Sequence, residues 1–265
     1  MTTLHPSTPW DKRAWLDDMP FRLGTYVQTA DPALVEVLAR AGFDYVMIDG
    51  EHSPLSMETI KNLIIACSGN GIAPFVRVKQ NIGALVMEPL DAGAYGVQIP
   101  QISTAQAAKE AIRSAKYHPL GERGANPYVR ATGYSAQKFT DYIKWANDNT
   151  LVIIQVEGVE GISNIEAILD TPGLDVVWLG PYDLSQSMGR PGQVDHPDVI
   201  QKMKEVIEKA RLRDIAVGTF ADNVEAATRW IGLGLRLVAI SYETRMLFER
   251  AKTIVDSMRA EILAS

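Results

Sequence analysis

The residues of this chain that can do chemistry stand directly after short apolar runs. One run ends in Asp49-Gly50-Glu51-His52, and a second carries Arg77 near its end. A third ends in Gln155-Val156-Glu157, and a fourth in Gly180-Pro181-Tyr182-Asp183. If the last two runs are neighbouring strands, about 4.8 Å apart, Glu157 and Asp183 can share one cation. Oxygen ligands with open positions suit Mg²⁺, Mn²⁺ or a similar ion that keeps waters and accepts substrate oxygens. The competing reading is a pair of solvated carboxylates or helix caps. His52 can relay protons near neutral pH, and a carboxylate partner such as Asp49 or Glu51 raises its basicity. A loop histidine bonded to backbone is the plainer alternative, and it is the reading for His5, His118 and His196. Arg77, a permanent cation close to an apolar run, needs a counter-anion or a reaction that develops negative charge. A structural salt bridge to Asp49 or Glu51 would also satisfy it.

Other motifs carry little. Gly232-Leu233-Gly234 precedes a strand pattern instead of following one, so it is no dinucleotide fingerprint. Walker loops, Cys–His zinc spacings and a Gly-x-Ser-x-Gly elbow are all missing from the sequence. Cys67 is the sole cysteine and reads as a core thiol.

Elements must position these groups. The apolar runs predict strands at Leu23–Val27, Tyr45–Asp49, Pro74–Val78, Gly96–Pro100, Leu151–Glu157, Val176–Gly180, Ile215–Phe220 and Leu237–Ser241. Several are nearly continuous in Val, Ile and Leu, as expected of parallel strands buried on both faces. Helical patterns alternate with them at Pro32–Ala41, Met57–Ser68, Gly83–Ala92, Thr104–Lys116, Ile162–Leu169, Pro197–Arg213, Val224–Leu233 and Thr244–Ala264. Asp31-Pro32 before the first and Gly42 after it are the expected cap, first-turn proline and terminal glycine. Tyr117–Thr150 and Pro181–His196 read as long functional loops. Eight alternations over 265 residues predict one (β/α)8 barrel domain, 1–265, with a doubly wound open sheet as the alternative. In such a barrel active sites lie at the C-terminal ends of the strands, where the groups above collect.

The net charge of −6 without a basic stripe argues against nucleic acid and anionic membrane as partners. No run of about 18 apolar residues is present, and the polar stretch Met1–Asp18 is no signal peptide. A single cysteine fits a reducing, cytoplasmic setting.

The segment Phe43–Pro54, FDYVMIDGEHSP, resembles the signature of the class II pyruvate-dependent hydroxy ketoacid aldolases, the 4-hydroxy-2-oxoheptanedioate aldolase family. Val76-Arg77-Val78, Leu90–Ala94, Pro119–Gly124, Gln155–Glu157 and Gly180–Ser185 are similar to further motifs of that family, in the same order. The resemblance runs from Gly24 to Ser241. It implies a (β/α)8 barrel of the phosphoenolpyruvate/pyruvate type with a C-terminal helix exchanged between subunits, commonly a hexamer. It implies Mg, Mn or Co held by Glu157 and Asp183. It implies that the amides of Tyr182 and Asp183, assisted by Gln155, hold the pyruvate carboxylate. Arg77 would stabilise the enolate oxygen, and His52 would be the general base, its basicity raised by Asp91. Asp49 would lie near the aldehyde. The chain departs from the family where Tyr182 replaces a commonly small residue and across Ser241–Arg245. Both departures bear on the acceptor side. Three rivals are a CoA-thioester lyase of the citrate lyase type, a Schiff-base aldolase, and a non-catalytic small-acid-binding barrel.

Overall fold

Strand sequences rich in Val and Ile pack best on a pleated, buried surface, and the computed structural model, which describes residues 11–263, has eight of them. They are β1 (Arg22–Val27), β2 (Tyr45–Asp49), β3 (Ala73–Arg77), β4 (Gly96–Ile99), β5 (Leu151–Val156), β6 (Val176–Leu179), β7 (Ala216–Ala221) and β8 (Leu237–Tyr242). All pair in parallel in sequence order, and β1 pairs with β8, so the sheet closes into a barrel. Closure removes the open-sheet alternative.

The helices are α1 (Lys12–Asp17), α2 (Pro32–Ala41), α3 (Met57–Asn70), α4 (Gly83–Asp91), α5 (Ala105–Ala115), α6 (Phe139–Asn149), α7 (Val159–Ser163), α8 (Ile165–Leu169), α9 (Pro181–Ser187), α10 (Pro197–Arg211), α11 (Val224–Gly232) and α12 (Glu243–Leu263). The start of α2 is as the sequence predicts: the Asp31 side chain accepts from the Ala33 N–H, Pro32 follows, and Gly42 closes the helix with φ 95°. Three elements depart from expectation. Tyr117–Thr150 is not all loop, because it holds α6 and a short 3₁₀ turn at Arg130–Thr132. Pro181–His196 opens with α9, and Ile162–Leu169 is broken by Asn164 into α7 and α8. Met1–Trp10, with His5, and Ala264 lie outside the described residues.

Inside the barrel the side chains change character along each strand. Tyr45, Met47, Phe75, Ile153, Val176 and Trp178 pack together in its interior. The next inward positions on β2, β3 and β5, two residues on, are Asp49, Arg77 and Gln155, with Gln98 their counterpart on β4. The lower end is closed by α1. Its Trp15 meets Phe75, Tyr95 and Tyr45 edge-on at 5.3, 5.6 and 6.1 Å between ring centroids. Among the described residues no helix is long and apolar enough to cross a membrane.

Beyond Glu243 no residue of α12 is fully buried, and only Thr244 and Met246 in its first turn are even partly so. Leu247, Phe248, Ile254, Met258 and Ile262 all stay more than half exposed. A helix packed on its own barrel is therefore not what this sequence forms. A continuous apolar stripe of this kind marks an interface. Light scattering at micromolar concentration should return a mass above that of one chain, and the double variant Leu247→Lys/Met258→Lys should shift it towards the monomer. A monomeric wild-type mass would contradict this.

Candidate active site

Asp49 ends β2 and is fully buried. It stands in register with Arg77 on β3. Arg77 Nε donates to Asp49 Oδ1 at 3.0 Å and Nη2 to Oδ2 at 2.8 Å, a two-pronged pair. Oδ1 also accepts the Glu51 and His52 N–H groups at 3.0 and 3.1 Å, which shapes the turn leaving β2. Gly50 is required in that turn, since a Cβ there would lie 2.7 Å from the Arg77 carbonyl oxygen.

The rest of the guanidinium is held as closely. Nη2 donates to the Tyr242 hydroxyl at 3.2 Å, and the cation lies 4.8 Å above the Tyr26 ring. Burial opposes its charge, but Tyr26, Asp49 and Tyr242 outweigh burial and hold Arg77 above its ordinary value. Nη1 lies 3.4 Å from Glu51 Oε2 and is the part of the fork that Asp49 leaves for other oxygens. The salt bridge considered from sequence is thus present, and it leaves donor capacity over.

A second chain of polar side chains runs across the barrel. The Tyr26 hydroxyl donates to Gln98 Oε1 at 3.2 Å, Gln98 Nε2 to Gln155 Oε1, and Gln155 Nε2 to Glu157 Oε2. Glu157 Oε1 accepts the Gln101 N–H at 2.9 Å, from a residue held at φ 59°. Burial, then the nearby charges of Asp183 and Glu51, push the Glu157 carboxyl up to about 7 against the hydrogen bond from Gln155. Burial also raises Glu51, against Arg77 and His52, and Asp49 and Asp183 add to the rise. Glu51 Oε2 is buried without a hydrogen-bond partner. Crowded carboxylates, one with an oxygen that makes ion-pair contacts but no hydrogen bond, suit a hard cation. No three His, Cys, Asp or Glu side chains converge as a cage among the described residues. The donor set therefore fits an ion held by few protein oxygens, with positions left for water and substrate.

A cavity of about 580 Å³ opens beside this network, walled by β1, β3, β5, β6, β7, β8 and the start of α12; Glu51, Gln98 and Glu157 do not line it. His52, Arg77, Gln155, Tyr182 and Asp183 all line it. A Cβ at Gly180 would lie 2.9 Å from Glu157, so the glycine lets α9 approach the carboxylate. The Tyr182 and Asp183 N–H groups open α9, ahead of the first intrahelical bond from Leu184 to Gly180.

With this geometry in place, relatives can be compared. A family model described as HpcH/HpaI aldolase/citrate lyase matches residues 22–249. The chain belongs to that family. It is 32% identical over 238 residues to the 5-keto-4-deoxy-D-glucarate aldolase of Salmonella arizonae, covering 90% of this chain and 92% of that one. It is 32% identical over 244 residues to the 4-hydroxy-2-oxo-heptane-1,7-dioate aldolase of Escherichia coli, covering 92% of each. A solved HpcH/HpaI aldolase/citrate lyase family protein from Burkholderia cenocepacia superposes with a TM-score of 0.88 at 32% identity, over 94% of this chain and 98% of that one. A carbon–carbon lyase of the aldolase kind is the reading these relatives support over the citrate lyase rival.

Two expected neighbours lie apart within the chain. Asp91 does not reach His52 within the chain. It ends α4, just before β4, whereas His52 follows the far end of β2. Its carboxylate pairs with Arg123 at 2.5 Å. The acid beside His52 is Glu51, at 3.7 Å. Asp49 does not face the cavity either, because Arg77 and the turn amides take up its oxygens. Sequence reasoning missed Gln98, Gln101 and Tyr26, and it marked Tyr242 only as part of the departing stretch Ser241–Arg245. Gln98 sits at a strand end, so the rule that found Gln155 applies to it.

The charge crowding has a measurable sign. A carboxyl raised from about 4.5 to about 7 in the folded state costs nothing below pH 4.5 and destabilises progressively as pH rises to 7 and beyond. In chelator-treated protein, Glu157→Gln should therefore gain thermal stability relative to wild type at pH 8 compared with pH 4.5. An equal difference at both pH values would remove the crowding.

Proposed function

We propose that the aldolase makes and breaks 4-hydroxy-2-oxo acids through pyruvate and an aldehyde. The observation that carries this reading is Arg77, buried, charged and fixed by Asp49, in the wall of the cavity that Gln155 and Asp183 also line. A fixed cation in a low-dielectric site stabilises charge that appears on a substrate oxygen. The enolate oxygen of pyruvate is such a charge.

Glu157 and Asp183 would hold Mg²⁺, Mn²⁺ or Co²⁺, which when bound polarises the keto group. The chain's own groups do the rest. The Tyr182 and Asp183 amides and the second N–H of Gln155 Nε2 bind the carboxylate. His52, largely exposed and 3.7 Å from Glu51, takes the methyl proton and later returns one. Asp49 acts through Arg77 as a positioning residue. In the reverse direction the same oxygen receives the electron pair of the broken carbon–carbon bond.

A Schiff-base aldolase needs an inward lysine. Among the described residues Lys116 is the buried one, and its Nζ is spent on the Asn147 and Thr150 carbonyls, at 2.9 and 2.5 Å, ahead of β5. Assembly as a hexamer through α12 and a cytoplasmic setting complete the proposal. The exposed stripe supports the first, and the lone buried Cys67 supports the second.

Proton NMR of pyruvate in D₂O tests the enolate step without an aldehyde. Wild-type protein with Mg²⁺ or Mn²⁺ should exchange the methyl protons, and exhaustive chelation should stop it. Arg77→Ala should slow exchange about 10²–10³-fold, as for a lost oxyanion donor. His52→Ala should slow exchange and cleavage together by roughly 10²–10⁴-fold. Wild-type exchange by Arg77→Ala would return Arg77 to a purely structural ion pair.

A further inference from the structure

Pyruvate occupies little of a 580 Å³ cavity, a volume that ordinarily holds a far larger ligand. The remaining wall is aromatic and begins at Arg77 itself. Tyr26 lies under the guanidinium, and its ring centroid is 5.1 Å from that of Tyr242. Tyr242 is 5.8 Å from Phe220, and Phe220 is 6.2 Å from Tyr182 at the rim. Four rings thus lead from the enolate-binding cation to solvent. The outermost is fixed: the Tyr182 hydroxyl donates to Asp222 Oδ1 at 2.7 Å.

Charge along this wall points the same way. The acids lining the cavity are Asp183, Asp222 and Glu249. Of its two arginines, Arg77 is paired with Asp49 inside the barrel, and Arg245 Nε meets Glu249 Oε1 at 2.6 Å in an exposed pair one helical turn apart. A distal carboxylate on the acceptor would meet these carboxylates, and the cation at the start of α12, Arg245, already has Glu249 beside it. Burying a charge without a partner is costly, whereas a flat apolar ring gains stacking contacts.

We infer that the acceptor half of the substrate is an uncharged aldehyde with an aromatic or apolar body, seated against Phe220, Tyr182 and Tyr242, and that Glu249 reinforces this choice by partly neutralising Arg245. The inference rests on the aldolase reading. The step balances without a further reagent. His52 removes one methyl proton, the enolate electron pair forms the new bond to the aldehyde carbon, and the carbonyl oxygen takes a proton to become the hydroxyl.

The test compares kcat/KM for benzaldehyde and succinic semialdehyde with pyruvate and Mg²⁺, alongside pyruvate methyl exchange in D₂O. Wild-type protein should favour benzaldehyde by about tenfold or more, the scale on which apolar pockets discriminate. Glu249→Gln should release Arg245 and raise kcat/KM for succinic semialdehyde about tenfold, with a smaller change for benzaldehyde. Phe220→Ala should lower the benzaldehyde preference. Because Glu249→Gln gains an activity, misfolding cannot imitate the expected result. Exchange together with equal or better use of succinic semialdehyde by wild type would overturn the acceptor assignment alone. So would an unaltered ratio in Glu249→Gln. Absence of both exchange and aldol product with any aldehyde would overturn the aldolase reading, and this inference with it.

Discussion

The ion pair between Asp49 and Arg77 fixes the geometry on which the rest of the site depends. Parallel register sets the two residues side by side at the tops of β2 and β3. Both are buried, so each charge would be untenable alone; removing one partner of such a pair costs about 3–5 kcal/mol. Asp49 offsets its burial by accepting four hydrogen bonds, two from Arg77 and two from the turn that carries Glu51 and His52. One carboxylate therefore sets both the cation and the direction of the loop bearing the candidate base. The close approach of Gly50 to the Arg77 carbonyl belongs to the same arrangement, which accounts for a glycine directly after the aspartate.

A polar cluster inside a barrel must be satisfied member by member, because a partly bonded network is worse than an apolar core. The chain from Tyr26 through Gln98 and Gln155 to Glu157 meets this demand, each side chain donating to the next. Beneath it the interior is closed by large apolar side chains, and Trp15 seals the lower end. The polar layer is consequently confined to the level of the strand ends. The unbonded oxygen of Glu51 and the raised carboxyl of Glu157 stand out against this background of satisfied groups.

All eight strands were legible in the sequence, because parallel strands buried on both faces must be almost wholly apolar. Their polar ends were legible for the same reason: Asp49, Arg77 and Gln155 interrupt runs that otherwise contain none. What escaped were elements whose burial comes from partners far along the chain. The α6 segment reads as loop because glycine, proline and asparagine surround it and no side chain caps its start at Lys138. Its Tyr142 and Ala146 find their core only once Tyr117 and Ala131 pack against them. Asp91 lies away from His52 within the chain for a related reason. A motif gives the order of residues but not the end of the barrel they reach, and α4 carries Asp91 to the end opposite His52.

The circumference of the barrel divides the site in two. Strands β2 to β5 supply Asp49, Arg77, Gln98, Gln155 and, just beyond β5, Glu157: a charged and hydrogen-bonded half. Strands β7, β8 and β1, with the segment after β6, supply Phe220, Tyr242, Tyr26 and Tyr182: an aromatic half. Arg77 joins them, bonded to Asp49 on one side and lying over Tyr26 on the other. The polar half cannot drift without breaking a network in which every member has a partner. The aromatic half is held by packing, which tolerates exchange of one ring for another side chain of similar volume. A fold arranged in this way can keep one donor chemistry fixed while the acceptor wall changes, since the two are built on different strands and share a single arginine.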